Sequence, residues 1–495
     1  MSKPLPPSTA KRSENIVFGV FEDEADGVIA ALKPAHAGFL KARGFAGKAG
    51  SIIVLPSGLG SNETGGLWVW FGLGARKTYN PLIFRALPSQ LPYGEWQLKA
   101  DAALDRKAIH VAFQLGSYVF DRYKAGKNLR VEVTLESADL SEETRAEIAR
   151  EVAAHDLVRD LVNTPANDMG PAEIEAAARN VADRFGAKLT VITGDDLLSE
   201  NFPAVHAVGR GAVAARTPRF IEIDWTPHEP FPKSAQRFSD SEGRQNNVED
   251  ISAEPKPVIA LVGKGVAFDT GGLNIKGGAG MALMKKDMGG AAHALALAQW
   301  IMESNLRVRL HVLISAVENA ISGDAFRPGD VIASRAGKSI DIGNTDAEGR
   351  LILADALTRA SELSPDLTLD FATLTGAARV ALGPEVIPFY TDDEEIARRL
   401  EVASIAEHDP LWRMPLWAGY RDALESDIAD LRNDPQAWAQ AGSVTAALFL
   451  QKFAPESGAW VHFDVYAWNP RGRPGFPVGA EAQTLRACFH MIKGL

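Results

Sequence analysis

The stretch GNTDAEGRL, residues 343 to 351, sets Asp346 and Glu348 two positions apart and Arg350 two further on, in a turn-like segment between apolar runs. A helix surface pairs residues three or four apart, so acids spaced by two in such a turn are aimed by something other than helical periodicity. Other chemistry-bearing side chains also follow apolar runs. Lys264 and Asp269 lie in GKGVAFDTGG after VIALVG, Lys276 comes shortly afterwards, and Asp287 stands in MKKDMGG at the start of a predicted helix. Four carboxylates gathered in a partly buried site repel one another and drive their pKa values up unless cations lie between them. Two divalent ions resolve the conflict. Asp and Glu oxygens bind zinc, manganese or magnesium, and a carboxylate can bridge two ions about 3.5–4 Å apart, as two-metal hydrolysis requires. A lysine amine deprotonated by a neighbouring cation can add a nitrogen ligand. None of the ten histidines forms HExxH or another close pair, so a His-rich zinc site has no support.

Each residue also has a plainer reading. Asp346 can serve as a cap for a helix beginning near Arg350, with Glu348 at that helix's positive end. The glycines of GKGVAFDTGG can be turn chemistry, and neither GxxxxGK[ST] nor GxGxxG order is present for nucleotide binding. A cap accounts for one acid and leaves Asp269, Asp287 and two lysines unexplained.

The elements that must position these groups are those of an α/β protein. The first ~140 residues mix strand-like SIIVLP and GGLWVWFGLG with helix-like KAIHVAFQLGSYVFDRY, a smaller N-terminal α/β domain assigned to residues 1–145. A charged helical segment, SEETRAEIAREVAAHDLVRDLVN, ends at NTPANDMGP and reads as a connecting helix over 146–168. Residues 169–495 then alternate strands (KPVIALVG, LRVRLHVLISAV, SIDIG, LTLDFATL, AWVHFDV) with helices (GGAAHALALAQWIMES, LILADALTRASEL). That pattern predicts a C-terminal catalytic α/β/α domain around a central, mostly parallel sheet, with ligands at the carboxyl ends of its strands. Residues 227–256 are polar and unperiodic and read as a surface insertion.

At 495 residues and 46% hydrophobic, the chain can build a large core, and a net charge of -11 without a basic run argues against general binding to nucleic acid or anionic membrane. A single cysteine, Cys488, excludes an intramolecular disulfide framework and a Cys-based zinc cluster. No signal-peptide core and no run of about 18 apolar residues is found, which predicts a cytoplasmic protein. His293, His462 and Cys488 read as buried packing groups.

VGKGVAFDTGGLNIK, MKKDMGGAA, RPGDVI, NTDAEGRLILADAL and DFATLTGA, taken in order, resemble the signature blocks of the leucyl aminopeptidase family, the cytosolic two-metal aminopeptidases; the resemblance covers roughly residues 155 to 495. It implies that Lys264, Asp269, Asp287 and Glu348 hold one metal, and that Asp269, Asp346 (with its backbone carbonyl) and Glu348 hold the other. The ions implied are manganese or zinc, with magnesium or cobalt as alternatives in one site. It further implies that Asp287 holds the substrate's free α-amine, that a metal-bridging water attacks the N-terminal peptide bond, that Lys276 stabilises the oxyanion and that Arg350 holds a bicarbonate general base. Asn344, Thr373, Leu374 and Gly376 would line the cleft, and Met284 would help form the pocket for the N-terminal side chain. The implied substrates are peptides with a free N-terminus and the implied assembly is a homohexamer. Two other readings stand beside this one: another two-metal hydrolase such as a phosphoesterase, and a DNA-binding or regulatory role known for some relatives. The chain departs from the family after Asp464, where Val465, Tyr466 and Ala467 replace the usual Ala-Gly neighbourhood and reshape the expected side-chain pocket.

Overall fold

The computed structural model describes residues 14–60, 65–124, 133–227, 256–435 and 440–495. Residues 228–255, nearly all of the anticipated insertion, lie outside the described residues. The chain divides into two compact units, Met1–Val152 with Arg471–Val478, and Ala153–Pro470 with Gly479–Leu495. The division falls inside the long helix Glu142–Asn163.

In the first unit the strands are β1 (Asn15–Phe21), β2 (Ile52–Pro56), β3 (Leu67–Gly74), β4 (Gly94–Lys99) and β5 (Val133–Glu136). They form one sheet in the order β2-β3-β1-β4-β5, parallel except where β2 meets β3. Val17, Phe71, Trp96 and Phe113 fill its core. The helix Arg106–Gly116 opens on Asp105, whose side chain accepts the Ala108 amide at 3.1 Å. The sequence pattern carries this helix on to Tyr123, yet it stops at Gly116. The Ser117 hydroxyl bonds back to the Phe113 carbonyl, which releases the chain from the helical ladder.

The second unit holds β6 (Lys188–Thr193), β7 (Arg219–Trp225), β8 (Val258–Asp269), β9 (Arg309–Asn319), β10 (Val331–Ala333), β11 (Ser339–Asp341), β12 (Leu367–Ala372), β13 (Ile387–Tyr390), β14 (Leu411–Arg413), β15 (Leu431–Arg432) and β16 (Ala459–Asp464). Eight of these strands build the central sheet, in the order β14-β13-β16-β12-β8-β9-β7-β6. Its middle, β16-β12-β8-β9, is parallel, and antiparallel strands join at β13 and β7. Helices cover both faces, so strands such as LTLDFA are buried at every position and read as continuous apolar runs. Alternate β8 residues serve two cores: Ile259 and Leu261 pack with the helix Gly289–Glu303, Ala260 and Val262 with the helix Glu348–Glu362.

Two local expectations are corrected. SIDIG does not join the central sheet; as β11 it sits in a separate three-stranded sheet with β10 and β15. Lys264 and Asp269 are not in a loop after a strand ending at Gly263, because β8 runs on to Asp269. The glycines at 263 and 265 break the apolar run but not the ladder, since Gly263, Lys264 and Gly265 pair with Ile314, Ser315 and Ala316 of β9.

Candidate metal centre and active site

The site forms where the four parallel strands end. Asp269 closes β8, Asn319 closes β9, Thr373 follows β12 and Asp464 closes β16. A register shift between Val266 and Asp269 re-aims the end of β8. Asn319 then donates to Asp269 Oδ1 at 2.8 Å and the Gly271 amide donates at 2.9 Å, leaving Oδ2 to the Lys276 ammonium at 2.7 Å. The chain reverses at Gly271, with φ +85°, where a Cβ would lie 2.4 Å from the Asn274 carbonyl; only glycine fits this turn.

The segment that carries Asp346 and Glu348 is shaped by polar side chains. Asn344 Oδ1 accepts the Asp346 amide at 2.9 Å, and Asn433 grips Gly343 and Asn344 through its own amide group. The Thr345 hydroxyl donates to the Gly271 carbonyl at 2.6 Å, tying this turn to the end of β8. The helix begins at Glu348 behind Ala347 with no side-chain cap, so Asp346 is not a capping residue. Asp269, Asp346 and Glu348 each bring a carboxylate oxygen within 4.8 Å of the others, a set able to hold a metal ion.

Two lysines stand among these acids. Lys264 Nζ is 2.9 Å from Asp287 Oδ2 and 2.9 Å from Glu348 Oε1. Gly349 makes that approach possible, since a Cβ there would come within 2.7 Å of Lys264 Nζ. Lys276 Nζ is 2.7 Å from Asp269 Oδ2 and 2.5 Å from Asp346 Oδ1. Burial works to lower both lysines, but Asp287, Glu348 and Asp269 around Lys264, and Asp269 and Glu348 around Lys276, hold them well above the ordinary lysine range. Burial and the charge of Asp269 push Asp346 up to about 6 and Glu348 up to about 8. The acids are therefore crowded beyond what two ammonium groups neutralise.

The chemistry of these residues fits divalent metal. Apart from the two ammonium groups, nothing among the described residues donates to Asp287 Oδ2, Asp346 Oδ1 or Glu348 Oε1, although all three atoms are buried. Buried carboxylate oxygens that outnumber the ammonium groups holding them are the groups a hard cation satisfies.

A cavity of about 620 Å³ opens over the cluster. Of the residues singled out from sequence, Lys264, Asp269, Lys276, Met284, Asp287, Asp346, Thr373, Leu374 and Gly376 line it, as do Val465 and Tyr466 from the stretch that departs from the family. Asn344, Glu348 and Arg350 do not. Asn344 orients the Asp346 turn from behind, and Glu348 is only 1% exposed beneath the other acids. Arg350 is 7% exposed, with Nη1 donating to the Asn433 carbonyl and Nε without a partner among the described residues. Sequence reasoning passed over Asn319, Thr345 and Asn433, and named Asp464 without giving it a role. Asp464 accepts the Leu374 and Thr375 amides and so fixes the loop after β12. A carboxylate at the end of the strand AWVHFD was the available signal. His293 and His462 are fully buried and hydrogen-bonded, and Cys488 is buried in the helix Leu485–Lys493.

Carboxylates and lysines converging at the carboxyl ends of parallel strands, under a cavity of peptide size, define a metallohydrolase of the α/β class. The catalytic-domain pattern of the cytosol aminopeptidase family matches residues 156–238 and 246–488, and the N-terminal domain pattern of the M17 aminopeptidases matches residues 18–135. The crystal structure of the cytosol aminopeptidase from Coxiella burnetii is 42% identical, covers 98% of each chain and superposes with a TM-score of 0.85. A Mn complex of the bottromycin maturation enzyme BotP is 29% identical over 97% of this chain and 99% of its own, with a TM-score of 0.81. Peptidase B from Enterobacter sp. (strain 638) is 35% identical, spanning 75% of this chain and 81% of its own. The chain belongs to the cytosol aminopeptidase family, the M17 metallopeptidases, and is a leucyl-type aminopeptidase that depends on divalent metal and acts on peptides. No helix among the described residues is long and apolar enough to cross a membrane.

Proposed function

We propose that the protein removes the N-terminal residue from peptides in the cytoplasm, as a homohexamer, with two divalent ions, manganese or zinc, held by Lys264, Asp269, Asp287, Asp346 and Glu348. The observation that carries this reading is the cluster of Asp269, Asp287, Asp346 and Glu348 at one cavity, with Glu348 buried beneath it and only Lys264 and Lys276 paired with these acids among the described residues. When bound, the ions supply an activated water and polarise the scissile carbonyl.

The chain's own residues do the rest. Asp287, oriented by the Thr373 hydroxyl at 2.7 Å, faces the cavity and receives the free α-amine, which limits cleavage to the first peptide bond. Lys276, half-buried and held charged by Asp269 and Glu348, donates to the oxyanion that develops on the carbonyl oxygen. Arg350 offers a planar fork whose Nε has no partner among the described residues, suited to hold a bidentate planar anion such as bicarbonate, which would supply a general base when bound. Met284, Thr373, Leu374 and Gly376 shape the pocket around the N-terminal residue.

The test is hydrolysis of amino-acid anilides and their N-acetylated equivalents by protein stripped with chelator and reloaded with manganese or zinc. Metal-dependent release from free-amine substrates alone is the expected result. Equal cleavage of both sets, or undiminished activity in Glu348→Ala, would overturn the reading.

A further inference from the structure

Beyond the metal cluster the same cavity carries two more cations. Lys286 sits on the short helix Met284–Met288, immediately before Asp287, and is 7% exposed. Its ammonium lies 5.1 Å from the centre of the Tyr466 ring and makes no hydrogen bond or ion pair among the described residues. The nearest acids are already engaged. Asp287 takes the Thr373 hydroxyl and Lys264, while Asp464 takes two backbone amides and the hydroxyls of Thr375 and Ser443. Arg379, on the helix Gly376–Leu382, stacks its guanidinium 5.0 Å from the same Tyr466 ring and donates to the Tyr466 hydroxyl at 2.9 Å. It too has no carboxylate partner among the described residues. Lys286, Arg379 and Tyr466 all line the cavity.

A buried ammonium without an anion is costly, and a second cation on the same ring adds repulsion that the ring quadrupole only partly offsets. An apolar N-terminal side chain would leave both charges unanswered. We propose that Lys286 and Arg379, gathered on Tyr466, form a subsite for a substrate carboxylate, supplied first by the side chain of an acidic N-terminal residue. Lys286 shares its short helix with Asp287, which receives the α-amine, and with Met284 of the side-chain pocket, so it faces the first residue of the peptide. The second source of the same group is the C-terminal carboxylate of a dipeptide. This inference rests on the aminopeptidase reading of the cavity.

The experiment compares kcat/KM for glutamyl and leucyl anilides, and for Leu-Gly and Leu-Gly-amide, in the metal-loaded wild type, Lys286→Met and Arg379→Met. Calorimetric binding of free glutamate and leucine gives a readout that needs no turnover. A glutamyl-to-leucyl ratio lower by about tenfold or more in both variants, with the same change in the affinity ratio, establishes the side-chain source. A lower Leu-Gly to Leu-Gly-amide ratio establishes the C-terminal source. Ratios unchanged in Arg379→Met, whose exposed side chain can be replaced without disturbing the core, would overturn the subsite while leaving leucyl-anilide hydrolysis intact as proof of the aminopeptidase. Absence of leucyl-anilide hydrolysis in the wild type would instead sink the aminopeptidase reading, and equal affinity for glutamate and leucine would then sink the subsite as well.

Discussion

The ammonium of Lys264 lies 2.9 Å from Glu348 Oε1 with both side chains almost wholly buried, among the crowded acids Asp269, Asp287 and Asp346. In the metal-free protein the lysines act as counter-ions, yet burial and Asp269 still raise Glu348 to about 8 and Asp346 to about 6. A carboxylate raised above its ordinary value contributes stability that is present below that ordinary value and is lost as pH rises through the folded value. The metal-free protein therefore loses stability from these two groups between about pH 4 and 8. Added manganese or zinc should release protons at pH 7 and raise the melting temperature more at pH 8 than at pH 5. Calorimetry in buffers of different ionisation enthalpy, with melting curves at both pH values, checks both. Metal uptake without proton release would contradict the crowding.

Lys276 bridges Asp269 and Asp346 at 2.7 and 2.5 Å while lining the cavity, so it belongs both to the acid cluster and to the substrate's surroundings. Replacing it with Met should lower kcat by about 10²–10³, because one donor to the developing oxyanion is lost. KM should change little. Steady-state kinetics on leucyl anilide separates this from a binding role, which would raise KM and spare kcat.

How much of this was legible follows from how local each signal is. Asp346 and Glu348 announced themselves because a helix cap accounts for one acid, while Asp269, Asp287 and two lysines after neighbouring apolar runs ask for a joint explanation. Lys264 and Asp269 were legible as chemistry but misplaced as a loop, since the ladder that carries β8 past its glycines depends on β9. The mixed character of the sheet was hidden for the same reason: the antiparallel pairing of β13 with β16 is a tertiary fact that apolar runs do not encode. Lys286 and Arg379 were not legible at all. In sequence they are one half of a Lys pair and a polar residue in GAARVALG, and only Tyr466, brought in from the end of β16, joins them.

Arg350 is buried in the first turn of the helix Glu348–Glu362, next but one to Glu348, and donates to the Asn433 carbonyl at 2.5 Å. Arg350→Lys retains a charge but loses the fork, and lysine's point charge cannot hold a planar anion bidentately. Activity should fall about 10²-fold or more in Arg350→Lys, as expected when a general base is lost. The wild type in bicarbonate-free buffer should regain activity on adding bicarbonate, whereas Arg350→Lys should respond weakly. Equal bicarbonate responses in the two proteins would remove the anion-holding role.

Thr373 supplies the donor that orients Asp287, its hydroxyl lying 2.7 Å from Oδ1 and 3.1 Å from the Asp287 carbonyl. Thr373→Val keeps the volume and removes the hydroxyl, leaving a buried carboxylate oxygen without its partner at a cost of about 1–3 kcal/mol. Groups that orient a metal ligand typically change metal affinity by about 10–100-fold when lost. Thr373→Val should therefore need more metal to reach half-maximal activity, by about that factor, and should also raise KM, because Asp287 would receive the substrate amine. Thr373→Ser restores the donor and should recover both. Metal titrations of activity, set against metal titrations of melting temperature, distinguish this from simple loss of packing, which the serine variant would suffer as well.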